Sequence, residues 1–251
     1  MRIKEIVKMY EKGSVLCAGQ RGSGKDMLTA NVVARRGGYY VSNVNYKAKG
    51  KLKKARWIKF NPALLRVGND FESFIQNKVK TYIYPYPDGT DIYISDAGIY
   101  FPSQYCGELN KRYKDIPTFM ALSRHLGQCN VHVNSQAINR VWDKIREQSE
   151  QYIVCQSCKV IGPVVIQFVR IYERYQTAVD NIPPCRVKTP LFNAERRQRA
   201  MLAKEQYLLQ YGKIQSRVLV YLNKSDYDTR IFKTILEGGE DNEETQKRNE
   251  S

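Results

Sequence analysis

Residues 14–36 read SVLCAGQRGSGKDMLTANVVARR. An apolar run ends in glycine, a glycine-rich turn follows, and apolar residues then recur at helical spacing at Met27, Leu28, Val32 and Val33. A buried strand that feeds an amphipathic helix through such a turn opens a β-α-β unit. The next segment, GGYYVSNV at 37–44, supplies the turn and the second strand. This order, repeated with apolar strands further along, predicts an α/β chain with a largely parallel sheet covered by helices.

The turn itself nearly spells G-x-x-x-x-G-K-[ST], the phosphate-binding loop. Gly19, Gly24 and Lys25 fit, and Asp26 stands where Ser or Thr is usual. Glycines at 19, 22 and 24 let successive N–H groups turn inward, and the helix N-terminus adds its dipole, so phosphate oxygens find a ready seat. The candidate nucleotide loop is Gly19, Gln20, Arg21, Gly22, Ser23, Gly24, Lys25, Asp26 and Met27, with Lys25 reaching the terminal phosphates. A hydroxyl at position 26 would ligate magnesium. Aspartate is also a hard oxygen donor, but its charge opposes the phosphates unless the metal compensates. Thr29 lies one turn further along.

Two further strand ends complete the set. IYISDA, 92–97, carries Ile92 and Ile94 and ends in Asp96, at the edge where ligands of open α/β sheets bind. Asp96 reads as the Walker B aspartate that holds magnesium, with Asp26 as a second candidate ligand. Many ATPases place a water-activating Glu next, and Ala97 stands there instead, so the general base is missing from its usual place. NVHVNSQ, 130–136, ends in Gln136, an amide suited to sensing a terminal phosphate, or an ordinary strand end. Arg124, Arg140 and Arg146 are candidates for stabilising developing charge, a role often filled across a subunit interface. Of the two histidines, His125 and His132, the latter alternates within a strand and reads as packed.

The remaining chain predicts an amphipathic lead at 1–12, a strand at 56–60, helices at 69–80 and 116–128, and a turn at 84–91. One amphipathic helix is expected at 137–150, where Ile138, Val141, Trp142 and Ile145 share a face. Strands follow at 152–157 and 164–172, then a basic helix at 192–212 and a last strand at 216–222. The expected division is a nucleotide-binding domain at 1–190, an extension at 191–236 and a disordered tail at 237–251.

Charge bears on partners. The chain's net charge is +16, and the tail holds six acids against two bases, so residues 1–236 carry +20. A body this basic suits a polyanion. Residues 47–60 combine seven basic side chains with Trp57 and Phe60, a composition suited to nucleic acid. ERRQR at 195–199 adds a second patch. The polar start, MRIKEIVKMYEKGSV, does not read as a secretory signal, so the six cysteines are expected reduced, in a cytoplasmic setting. A single C-x-x-C, Cys155 and Cys158, lacks the second pair of a zinc ribbon. The longest apolar run, 160–169, is half the ~20 residues of a membrane span and reads as a buried strand.

Taken in order, GQRGSGKD, YYVSNV, IYISDAGIYFPS and SRHLGQCNVHVNSQAINRVWDKIRE resemble the Zot-like (zonular occludens toxin) ATPase domain over residues 13–175. That family includes the assembly proteins of filamentous phages and belongs to the FtsK/HerA group of P-loop ATPases. The resemblance implies a RecA-like P-loop sheet; the C-terminal helix-and-strand extension is read from residues 191–236 alone, which add nothing to the likeness. The resemblance also implies a homo-oligomeric ring, ATP and Mg2+ as cofactors, and work in virion assembly or movement of phage DNA. Lys25, Asp96 and Gln136 would be the Walker A lysine, Walker B aspartate and sensor, and Arg124 or Arg146 would reach a neighbouring subunit. The setting implied is the host cell cytoplasm, peripheral to the inner membrane where a membrane protein recruits the chain. Two departures, Asp26 and Ala97, keep alternatives open: a nucleotide-binding structural or regulatory protein without turnover, or a DNA-binding module on a degenerate loop.

Overall fold

The glycine-rich turn connects a strand to a helix, as its flanks predict. The computed structural model describes residues 2–46, 55–61, 86–105, 120 and 129–225. The expected helix at 69–80, nearly all of that at 116–128, Arg124, His125, the basic run 47–54 and the acidic tail lie outside these residues.

In chain order the elements are α1 (Ile3–Lys12), β1 (Val15–Ala18), α2 (Lys25–Arg36), β2 (Gly38–Ser42), β3 (Ala55–Lys59), β4 (Asp91–Ile94), α3 (Ala97–Tyr100), β5 (Val131–Ser135), α4 (Asp143–Glu147), β6 (Gln151–Ile161), β7 (Val164–Tyr172), α5 (Tyr175–Val179), α6 (Ala194–Tyr211) and β8 (Ile214–Leu222). One sheet contains all eight strands in the order β3-β2-β4-β5-β1-β6-β7-β8. The first six pair in parallel, and β7 and β8 are antiparallel additions. The expectation of a mostly parallel sheet therefore holds: five of the seven strand pairings are parallel.

β1, β4 and β5 are buried along their whole length, as central parallel strands covered on both faces must be. Alternation divides their side chains between two cores. Leu16, Ile92, Ile94 and Val133 join Phe101, Trp142 and Ile145 on one face. Val15, Cys17 and Tyr93 join α1 and α2 on the other, through Ile6, Tyr10, Leu28 and Val32.

Two expectations are corrected. Residues 137–150 are not one helix: a 3-10 turn at Ile138–Arg140 is followed by the short α4. Between them Val141 and Trp142 are extended, because Val141 bridges to Pro102 and the Trp142 N–H donates to the Phe101 carbonyl at 2.8 Å. Ile138, Val141, Trp142 and Ile145 are all buried nonetheless, so the pattern located the core while the backbone took another path. The run 160–169 is not one buried strand. It turns at Gly162–Pro163 between β6 and β7, leaving Val160, Ile161 and Phe168 about half exposed. Among the described residues, no helix is long and apolar enough to cross a membrane.

Candidate functional site: a phosphate loop bounded by two carboxylates

The strand order brings three chain turns together. β4, β5 and β1 are neighbours, so their carboxyl ends deliver Ser95–Asp96, Gln136 and Gly19 to one edge. The loop strand and the acid strand are thus separated by the strand that ends in Gln136.

The loop is shaped by steric exclusion. At Gly19 a Cβ would lie 2.3 Å from Ser23 Oγ and 2.6 Å from the Cys155 carbonyl oxygen. Gly24, the N-cap of α2, has φ 85°, and a Cβ there would meet Cys158 Cβ at 2.5 Å. Gly19→Ala is therefore expected to destabilise the fold by about 1–3 kcal/mol, because β6 backbone must move to make room; chemical denaturation measures this. β7 supports the loop from below. Buried Gln167 donates to the Ser23 carbonyl at 3.2 Å and accepts from the Tyr221 hydroxyl at 2.9 Å.

The Leu28 N–H closes the first turn of α2 on the Gly24 carbonyl. The preceding N–H groups of Lys25, Asp26 and Met27 are the helix's open donors and carry its positive end. Lys25 is buried to 8% side-chain exposure, with Nζ 3.5 Å from Asp26 Oδ2 and 4.0 Å from Asp96 Oδ1. Asp26 is further fixed by Ser95 Oγ, which donates to its Oδ1 at 2.6 Å, and by Asn134 Nδ2 at 2.9 Å. Asn134 also exchanges hydrogen bonds with Thr29. Asn43 clamps the end of β4, donating to the Ser95 carbonyl at 2.9 Å and accepting its N–H at 2.8 Å.

Asp96 follows in the left-handed region, φ 48° and ψ 48°, a conformation Asp tolerates better than most residues. Burial raises its carboxyl above the usual range, the Asp26 charge adds to this, and Lys25 opposes it. Asp96 lines a cavity of about 100 Å³ with Gly98, Ile99, Ser135, Gln136 and Arg140. Arg140 Nη1 donates to Gln136 Oε1 at 2.9 Å. A larger cavity, about 500 Å³, shares Gln136 with the first and is also lined by Gly19, Gln20, Val154, Gln156 and Val179.

Lys25, Asp26, Asp96 and Gln136 are thus brought to one edge. Arg146 is not joined to them; its guanidinium lies 4.8 Å over the Tyr175 ring. Of the described candidates Arg140 and Arg146, it is Arg140 that lines the Asp96 cavity. Ser95, Asn43, Asn134 and Gln167 escaped the sequence reading because each is a common polar residue that only pairing places. The one visible signal was the serine directly before Asp96. His132 is buried: the Val15 N–H donates to its Nδ1 at 3.2 Å, and its Nε2 faces Asp91 at 3.2 Å.

Magnesium takes one or two carboxylates plus phosphates rather than an all-protein cage. The chain offers that share in Asp26 and Asp96 beside the open donors of α2. Among the described residues no group of three or more His, Cys, Asp or Glu side chains is arranged to hold a metal by itself.

No protein-family model matches the chain, and a search of curated proteins finds no relative. Solved structures do resemble it. The N-terminal domain of zonular occludens toxin from Neisseria meningitidis is 12% identical, aligning over 88% of this chain and 97% of that one, with a TM-score of 0.43. The genome packaging NTPase B204 from Sulfolobus turreted icosahedral virus 2, in complex with ATP-gammaS, is 16% identical over 57% of this chain and 75% of that one, at 0.35. EssC (ATPases 2 and 3) from Geobacillus thermodenitrificans is 9% identical over 78% and 45%, at 0.34. The strand order and the loop geometry, rather than these likenesses, make the chain a RecA-like P-loop α/β fold.

Proposed function

We propose that the chain binds and hydrolyses ATP with magnesium and uses the energy to move DNA or virion components during viral assembly. The observation that carries the nucleotide reading is Lys25, held between Asp26 and Asp96 at the open end of α2. That end presents one cation and two anions before a ligand arrives. Phosphates alone meet net repulsion there, whereas a magnesium complex brings compensating charge. Binding of ATP should therefore depend steeply on magnesium. On this reading Lys25 and the α2 N–H groups hold the phosphates, Asp26 holds the metal from the start of α2, Asp96 stands beside them 4.0 Å from Lys25 Nζ, and the cavity beside Gly19 and Gln20 takes the rest of the nucleotide.

The order of the four sequence motifs supports the viral role. The β2–β3 edge supports contact with nucleic acid: Arg56 and Lys59 are exposed there beside partly exposed Trp57 and Tyr39, and Arg56 stacks 5.3 Å over the Tyr39 ring. Basic side chains interleaved with accessible aromatics suit single-stranded DNA. Titration with a fluorescent ATP analogue, with and without magnesium, tests the site. Phosphate release measured with and without single-stranded DNA tests the work. Affinity for the analogue indifferent to magnesium would overturn the reading. DNA-independent turnover would confine the chain to nucleotide hydrolysis.

A further inference from the structure

The residue just past β4 that bonds to position 26 is Ser95: its Oγ donates to Asp26 Oδ1 at 2.6 Å. In P-loop enzymes the helix supplies a hydroxyl and the strand an acid, and the two share the metal. Here the same two groups face each other with their addresses exchanged, acid on the helix and hydroxyl at the strand's end. Asn43 fixes Ser95 from both sides of its backbone, and Asn134 fixes Asp26, so the pairing is built rather than incidental. Once Asp26 and Ser95 account for the metal's share, Asp96 is left over. Its backbone is left-handed, and it lines the 100 Å³ cavity together with Gln136 while its Oδ1 stays 4.0 Å from Lys25 Nζ. Ala97, by contrast, is fully buried in the core.

We infer that Asp96 is the general base of the reaction and that Asp26 with Ser95 is an inverted metal-holding pair. This rests on the reading of the loop as an ATP site and reassigns Asp96 within it. A water in the cavity bonds through its oxygen to the terminal phosphorus while its proton passes to the Asp96 carboxylate. The bond from that phosphorus to the bridging oxygen breaks, and its electron pair leaves with ADP. Asp96 then releases the proton to solvent as phosphate departs. Gln136, held by Arg140 at 2.9 Å, orients the water.

Three variants separate the roles. Asp96→Asn should lower single-turnover hydrolysis at least about 100-fold while leaving affinity for the magnesium complex of an ATP analogue within threefold of wild type. Asp26→Ser and Ser95→Asp should each weaken that affinity at least tenfold, the first by removing the carboxylate and the second by setting two carboxylates face to face. The double variant, which restores the ordinary addresses, should recover affinity to within threefold of wild type. Thermal melts confirm folding of each, and the double variant keeps the test decisive if a single variant unfolds. Loss of analogue affinity in Asp96→Asn, or no recovery in the double variant, overturns the assignment. Wild-type protein that binds magnesium-ATP without turnover overturns the base role and leaves the binding reading standing.

Discussion

Lys25→Ala is expected to weaken binding of magnesium-ATP at least about 100-fold. A charged hydrogen bond of this type contributes roughly 1.5–3 kcal/mol, and each 1.4 kcal/mol is a factor of ten in affinity. The upper part of that range applies because the loss is double. The lysine's own contacts with phosphate disappear, and Asp26 and Asp96, now 3.5 and 4.0 Å from nothing cationic, face the incoming anion uncompensated. Lys25→Met separates packing from charge, since it keeps most of the buried stem. It should bind nucleotide as poorly as the alanine variant while melting closer to wild type. Equilibrium titration with a fluorescent analogue reads the first effect and thermal unfolding the second. Affinity retained within threefold in both variants would remove the loop from the nucleotide site altogether.

The parts of this site that were legible in sequence are those fixed by local chemistry. A glycine-rich turn between an apolar run and a helical period requires a strand-loop-helix, and Lys25 follows from its place in that turn. Gln136 and Asp96 were legible as polar residues at strand ends. Which of two adjacent residues faces the loop was not. Ser95 and Asp96 lie in the turn just past β4, with Asp96 left-handed, so neither strand nor helix periodicity says which of the two meets the loop. The tertiary pairing with Asp26 decides between them. The same limit explains the broken helix at 137–150. Helical spacing correctly named four core residues, but the competing pairing of Val141 and Trp142 with residues 101–102 is invisible to a periodicity. The antiparallel β7 and β8 were legible as strands only, because direction is set by the Gly162–Pro163 turn and by what each strand finds as a neighbour.

At the opposite edge of the sheet from the nucleotide loop, the amino end of β4, Asp91→Ala is expected to cost about 3–5 kcal/mol of stability. Asp91 is 3% exposed and binds three donors: the Arg36 guanidinium from the last turn of α2, the Asn130 N–H at 2.9 Å and His132 Nε2 at 3.2 Å. Removing it leaves a cation and a buried imidazole without their acceptor. Asp91→Asn retains an acceptor oxygen for the Asn130 N–H, so its cost should be smaller, about 1–3 kcal/mol. The same cluster predicts a pH dependence. His132 accepts the Val15 N–H at Nδ1, which places its proton on Nε2 and requires the neutral ring. Burial, and then the nearby Arg36 charge, lower its pKa well below the usual value. The unfolded chain, with an ordinary histidine near 6.5, therefore binds the proton first as pH falls. Stability contributed by the neutral ring is intact above about pH 6.5 and declines below it, by up to about 1.4 kcal/mol per pH unit. Urea unfolding between pH 5 and 7 measures that slope, and His132→Gln should flatten it. A wild-type slope of zero across this window, or one unchanged in the variant, would show that the ring is not the group that couples folding to acid.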